Sequence, residues 1–238
     1  MKNLTLFFGR TIAISLIAIF GTTSLYAQKG SGNVIKESRN VGSFNAIKVG
    51  GAFDVYLRMG DKEDVTVVAD DNIINNISTT VSDGKLRIKT TEEIKNPTEL
   101  KIYVTAKKLN DIDISGACDL DSKNTIVSDE LKIKTSGASD IDISIQCTKL
   151  KIFTSGASDI KMNGSANYVT IDASGASTIK GEGLNSNDAY VESSGASTVK
   201  IGVSEVLEAK ASGASTVLYK GNPRLSVKES GASDIKKL

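Results

Sequence analysis

Between residues 111 and 235 apolar and polar residues alternate, and the alternation restarts every 18–21 residues at the tripeptide Ser-Gly-Ala. The glycines of those tripeptides are Gly116, Gly137, Gly156, Gly175, Gly195, Gly213 and Gly231. Four residues before each glycine stand Ile112, Ile133, Ile152, Ile171, Val191, Ala209 and Val227. Four residues after stand Leu120, Ile141, Ile160, Ile179, Val199, Val217 and Ile235. A further apolar column, six before, begins at Leu131 and runs through Leu150, Val169, Ala189, Leu207 and Leu225. Lys, Asp, Glu, Thr and Ser fill the places between, as in Leu131-Lys132-Ile133-Lys134. Period-two alternation is the pattern of a strand with one buried face.

Each repeat therefore predicts at least two short strands meeting at a tight Ser-Gly-Ala corner. Glycine supplies backbone angles closed to other residues, and Ser and Ala are small enough to stack. No apolar stripe of period 3.6 is present, and β-branched residues fill the columns, so a helical reading fails. A repeat of this length is one turn of a solenoid, with like residues stacked about 4.8 Å apart. The expected fold is all-β: a right-handed parallel β-helix of about 18–21 residues per turn.

The segment from residue 28 to 110 is less regular yet strand-like, as in Phe53-Asp54-Val55-Tyr56-Leu57 and Leu100-Lys101-Ile102-Tyr103-Val104. It is expected to form degenerate turns of the same domain, residues 28–238, with regular repeats over 111–238. At roughly 19 residues per turn this predicts about eleven turns and a rod near 50 Å. Asp83-Gly84 between two apolar runs is a hairpin signal, and Asn96-Pro97 marks a bend. The last repeat stops three residues short of the terminus, so an uncapped final turn is expected.

Residues 1–27 read differently. Lys2 and Arg10 precede the short apolar run Thr11 to Phe20, and Ser24-Leu25-Tyr26-Ala27 ends on a small residue. This is the layout of a signal peptide cut before Gln28, and the run is too short to span a bilayer comfortably. Removing it leaves 27 Lys and Arg against 28 Asp and Glu. That balance excludes the basic excess a nucleic-acid or anionic-membrane partner requires. Cys118 and Cys147, the two cysteines, occupy different places in the repeat and read as small buried fillers.

The stretch Val41-Gly42-Ser43-Phe44-Asn45-Ala46-Ile47-Lys48-Val49-Gly50-Gly51-Ala52-Phe53-Asp54-Val55-Tyr56-Leu57, followed by serial Ser-Gly-Ala-Ser, resembles the auto-transporter adhesin family with a head GIN domain. The resemblance extends over about residues 34–235. It implies an exported protein of Bacteroidetes-type bacteria and a pectin-lyase-like β-helix, and it brings no catalytic residues. No membrane-barrel segment of amphipathic strands follows the repeats, so self-export is not expected.

Several polar constellations are candidates for chemistry. Three residues after each glycine stand Asp119, Asp140, Asp159, Thr178, Thr198, Thr216 and Asp234. Stacked aspartates repel, and a calcium ladder over Asp119, Asp140 and Asp159 would relieve that. The stronger reading is that each Asp or Thr caps its own corner by bonding a backbone N–H. The i, i+2 pairs Asp111/Asp113, Asp119/Asp121 and Asp140/Asp142 match the two-carboxylate pattern of glycoside cleavage, but also that of any solvated strand. With no histidine, Ser-Gly-Ala-Ser lacks the base a serine nucleophile needs. No helix start or Lys-Ser/Thr follows the glycines, which excludes a phosphate loop. The threonine ladder has three rungs, and the aromatics scatter across registers.

These readings converge on an exported, non-enzymatic interaction module that binds a surface glycan or protein, with no cofactor except the calcium alternative. The column Asp121, Asp142, Lys161, Lys180 and Lys200 presents an exposed charged face whose sign changes along the rod. A polysaccharide-active β-helix enzyme and a self-assembling cell-envelope scaffold are the alternatives. No membrane span is expected after cleavage, and a homo-oligomer is possible.

Overall fold

A computed structural model describes residues 28–238. The export segment expected over residues 1–27 lies outside the described residues. Each regular turn carries one strand ending at the Ser-Gly-Ala corner and another starting just beyond it. Asp111–Gly116 with Asp119–Ser122 is the first such pair. In later turns the strands lengthen and continue around the rod, as in Asp140–Thr154 and Thr178–Ser193.

The turns stack in parallel and in register. Before the corner, Ile112 lies against Ile133, which lies against Ile152, Ile171, Val191, Ala209 and Val227 in succession. Beyond it, Leu120 begins the column of Ile141, Ile160, Ile179, Val199, Val217 and Ile235. From Ile112 to Ala209, and from Leu120 to Val217, these residues are buried. The predicted ladders are the interior of a parallel β-solenoid.

The solenoid has about seven turns rather than eleven. Residues 28–110 form degenerate turns only in part. They add two parallel rungs, Ala46–Met59 and Lys85–Ala106, stacked out of chain order. Along the axis the order is Lys85–Ala106, then Ala46–Met59, then Asp111–Ser122. The remaining strands run antiparallel and close this end, apart from the short parallel pair of Gln28–Lys29 with Ile94–Lys95. Asp64–Asp70 pairs with Leu100–Ala106, Val34–Arg39 with Asp64–Asp70, and Ile77–Ser82 with Lys85–Thr90. The last two strands form the hairpin expected at Asp83-Gly84, where both residues have positive φ (53° and 69°). Among the described residues the single helical element is one 3-10 turn, Ile74–Asn76.

The closed end is tied by a buried carboxylate. Asp70 accepts hydrogen bonds from the Gly32 N–H at 2.7 Å and from the Thr98 N–H and hydroxyl, both at 2.8 Å. Burial alone would raise its pKa, but the bonds from Thr98 and Gly32 hold it below the ordinary carboxylate value. At the other end, among the described residues, the final turn pairs along one edge only: Leu225 and Val227 are 49% and 45% exposed, where Leu207 and Ala209 one turn earlier are fully buried.

Candidate functional site

The corner fixes which side chains face outward. Every corner glycine has positive φ, and its N–H/Cα edge sits on the glycine of the preceding turn. A Cβ at Gly156 would lie 2.5 Å from the Gly137 carbonyl oxygen, and one at Gly116 would lie 2.2 Å from that of Gly51. No side chain fits there, which is why glycine recurs. The following alanine N–H bonds the glycine carbonyl one turn back, as in Ala138 to Gly116 and Ala176 to Gly156, each at 2.8 Å.

The next residue points inward. Ser139, Ser158, Ser177, Ser197 and Ser215 are buried, and Cys118 takes the same place in the first turn. The Ser215 hydroxyl donates to the Ser212 and Ser193 carbonyls at 2.8 and 3.0 Å, and Ser233 bonds Ser230 and Ala211 likewise. Ser177, Ser197, Ser215 and Ser233 thereby close their corners. The aspartates do not: a residue three after the glycine has opposite parity and faces solvent, out of reach of the corner amides. Corner capping by Asp119 and Asp140 is thus replaced by capping from Cys118 and Ser139 one place earlier, and the Ser158 hydroxyl, before Asp159, finds no partner among the described residues.

Freed of that task, the aspartates form a strip on the outer face. Asp119 lies in register with Asp54 on one side and Asp140 on the other, and Asp140 with Asp159. Asp159 is ion-paired with Lys180 at 3.0 Å. Asp54, Asp119 and Asp140 have no ion pair among the described residues. Partial burial, then the charges of Asp140 and Asp54, push the Asp119 pKa above its ordinary value. The strip borders a shallow concavity of about 470 Å³ that also meets Tyr56, Asp121, Asp142, Lys161 and Lys180. The carboxylates stand side by side on successive strands. Among the described residues no group of three or more Asp, Glu or Cys side chains converges to hold a metal ion.

Beside this strip runs the charged column. Its register order is Tyr103, Tyr56, Asp121, Asp142, Lys161, Lys180, Lys200, so the sign changes at Asp142–Lys161, where an ion pair of 2.7 Å bridges the turns. The two tyrosines, which the sequence left scattered, are stacked with ring centroids 5.0 Å apart. Lys123 lies 4.5 Å from the Tyr56 ring and Lys36 lies 5.7 Å from that of Tyr103. Each ring thus stacks on its neighbour and lies within cation–π distance of a lysine, and Tyr103 stays 40% exposed.

The carboxylate pairs separate by environment. Asp111 and Asp113 are held by Lys85 and Lys48 at 2.9 and 2.7 Å. Asp119/Asp121 and Asp140/Asp142 share the open concavity, and no arginine lines it. Thr178, Thr198 and Thr216 are in register and continue the aspartate column. Cys118 and Cys147 are both buried and free, and burial raises both thiols, Cys147 to about 11. Asp54 was the one member of the strip that the period did not supply, although Gly51-Ala52-Phe53-Asp54 repeats the corner motif in altered form.

This arrangement is shared with known proteins. The family model described as "Putative auto-transporter adhesin, head GIN domain" matches residues 43–223. The chain belongs to this family. Among solved structures, a protein described as a putative adhesin from Bacteroides fragilis is 28% identical, with a TM-score of 0.83 over 88% of this chain and 99% of that one. A putative lipid binding protein from Parabacteroides distasonis (19% identity, TM-score 0.75, 90% and 100% covered) shares the fold. So does a putative adhesin from Parabacteroides merdae (18%, 0.68, 88% and 98%). Among curated proteins, none matches the sequence. The family and the Bacteroides fragilis protein are thus described in terms consistent with adhesion. Among the described residues no helix is long and apolar enough to cross a membrane.

Proposed function

We propose that the chain is an exported, non-enzymatic adhesion module that binds a surface glycan or protein through its outer ladder face. The observation that carries this reading is the unneutralised strip Asp54–Asp119–Asp140, beside a column that changes from Asp121 and Asp142 to Lys161, Lys180 and Lys200 along the same face. A rod that fixes charges at the strand spacing is pre-organised, so a partner of matching charge order meets little further ordering cost. Export is supported by the leader-like residues 1–27, with cleavage before Gln28, and N-terminal sequencing of the secreted protein tests that cut.

The purified protein, screened against glycan and matrix-protein arrays with calcium and with chelator, tests the binding. A saturable partner that remains chemically intact, and that is lost on Asp54→Asn/Asp119→Asn/Asp140→Asn, supports the reading. Loss of binding in chelator adds a cation bridging Asp119, Asp140 and Asp159. A partner that is shortened on incubation overturns the non-enzymatic reading in favour of a polysaccharide-active enzyme.

A further inference from the structure

The solenoid has a third side, and its ladder starts late. Ile126–Glu130, the first part of the strand Ile126–Gly137, pairs with Ile145–Lys149 of the following turn. The two preceding rungs never reach that side. After Met59 the chain turns to the antiparallel strand Asp64–Asp70, and after Ala106 it passes through residues 107–110 straight to Asp111. Among the described residues, Ile126–Glu130 therefore pairs along one edge, whereas Lys132–Thr135 of the same strand pairs along both.

The open edge lies in a concavity of about 750 Å³ bordered by Asn45, Lys108, Asn110, Val127, Asp129 and Glu130. Main-chain groups point into it. Lys132 donates its N–H to the Asn110 carbonyl at 2.9 Å on this edge. Ile126 and Leu131 are both buried although five apart, so the alternation slips between them. Outward-facing residues turn their N–H and C=O groups to the same edge as Lys132, so those of Val127 and Glu130 face the groove. One carbonyl is already engaged, since the Ser128 hydroxyl bonds Glu130 O at 2.8 Å. Val127 is 61% exposed, the most exposed of the large apolar side chains, and Asp129 has no ion pair among the described residues.

We propose that this edge is a docking site for an extended peptide segment, which adds as a further strand beside Ile126–Glu130. Unpaired strand edges bind extended chains through main-chain hydrogen bonds, with side chains on one face setting specificity. Val127 and Asp129 are two apart and share the outer face, so the partner carries an apolar residue with a basic residue two positions away. The proposal names a partner class for the interaction module proposed above, but it uses a surface separate from the aspartate strip.

The test is fluorescence anisotropy of the protein with a labelled peptide Ser-Thr-Val-Thr-Lys-Thr-Ser. One control peptide is N-methylated at alternate residues, and a second carries Glu in place of Lys. The expected result is saturable binding of the parent peptide, and binding about tenfold weaker for both controls and for Val127→Glu. Asp54→Asn/Asp119→Asn/Asp140→Asn should bind the peptide as the unaltered protein does, which separates this site from the ladder face. Equal affinity for the N-methylated peptide, or no saturable binding of the parent, overturns the proposal. Val127 is on the surface, so its substitution should leave the fold intact, and circular dichroism checks this.

Discussion

The Thr154 hydroxyl lies 2.7 Å from the Ser177 hydroxyl inside the solenoid, whereas the equivalent pair one turn earlier, Thr135 and Ser158, finds no partner. All four are buried. A buried hydroxyl that is bonded contributes, and one that is not is a desolvation cost. Ser197→Ala, which removes bonds to Ser193, Ser194 and Ala173, should therefore cost about 1–3 kcal/mol. Ser158→Ala should be neutral or stabilising. Urea unfolding of the two variants decides it, and equal losses would contradict the unpaired state of Ser158.

The corner glycines allow two kinds of strain to be separated. Gly32 and Gly156 have similar φ, 87° and 93°, but a Cβ at Gly32 meets nothing within 4 Å. Gly32→Ala should cost only the left-handed backbone penalty, about 1–2 kcal/mol. Gly156→Ala adds a clash with the Gly137 carbonyl, and the loss should rise to about 3 kcal/mol or more. Calorimetry of both proteins provides the comparison.

Asp119 makes a pH prediction of definite sign. Its folded-state pKa is raised by burial and by Asp140 and Asp54, so protonation favours the folded state. Its stabilising effect is present in full below the ordinary carboxylate value and is lost as pH rises through the folded one. Asp119→Asn should accordingly be more stable than the unaltered protein at pH 7, with the advantage fading in acid. Melting temperatures from pH 3 to 7 trace this difference.

Asp70 predicts the opposite slope. Its pKa is lowered, so its contribution is present above the ordinary carboxylate value and is lost as pH falls through the folded one. Asp70→Ala leaves the Thr98 and Gly32 donors unpaired at neutral pH, at a cost of about 2–3 kcal/mol. Proteolysis of residues 28–33 should accelerate in this variant, since Gly32 is one of its anchors.

Both cysteines should resist alkylation at pH 8 in the folded protein. Burial keeps each thiol protonated, and Cys147 titrates near 11. Mass spectrometry should show two adducts only after denaturation; rapid labelling of Cys147 in the native protein would contradict its burial.

The regular turns were legible because sequence period and ladder register are the same quantity: Ile133 stacks on Ile152 because both sit four residues before a corner glycine. The same parity argument reached the serines unused. Leu120, four after its glycine, is buried, so the residue two after must face inward and the aspartate three after must face out. The closed end was not legible. Alternation in Leu86-Arg87-Ile88 and Leu100-Lys101-Ile102 announces strands, but a period of two is the same for parallel and antiparallel pairing. Nor does it say that Lys85–Thr90 will stack outside Ala46–Gly51. The groove beside Ile126–Glu130 escaped for the same reason: it exists because other segments go elsewhere.

That inverted stacking also sets a schedule. Ala46–Met59 is sandwiched between a rung that ends at Ala106 and one that begins at Asp111, and Ala46 meets its first rung neighbour, Lys85, only 39 positions later. Every later turn, by contrast, lands on a template already in place. This topology predicts a long-range closure of the N-terminal end followed by turn-by-turn addition toward the C-terminus.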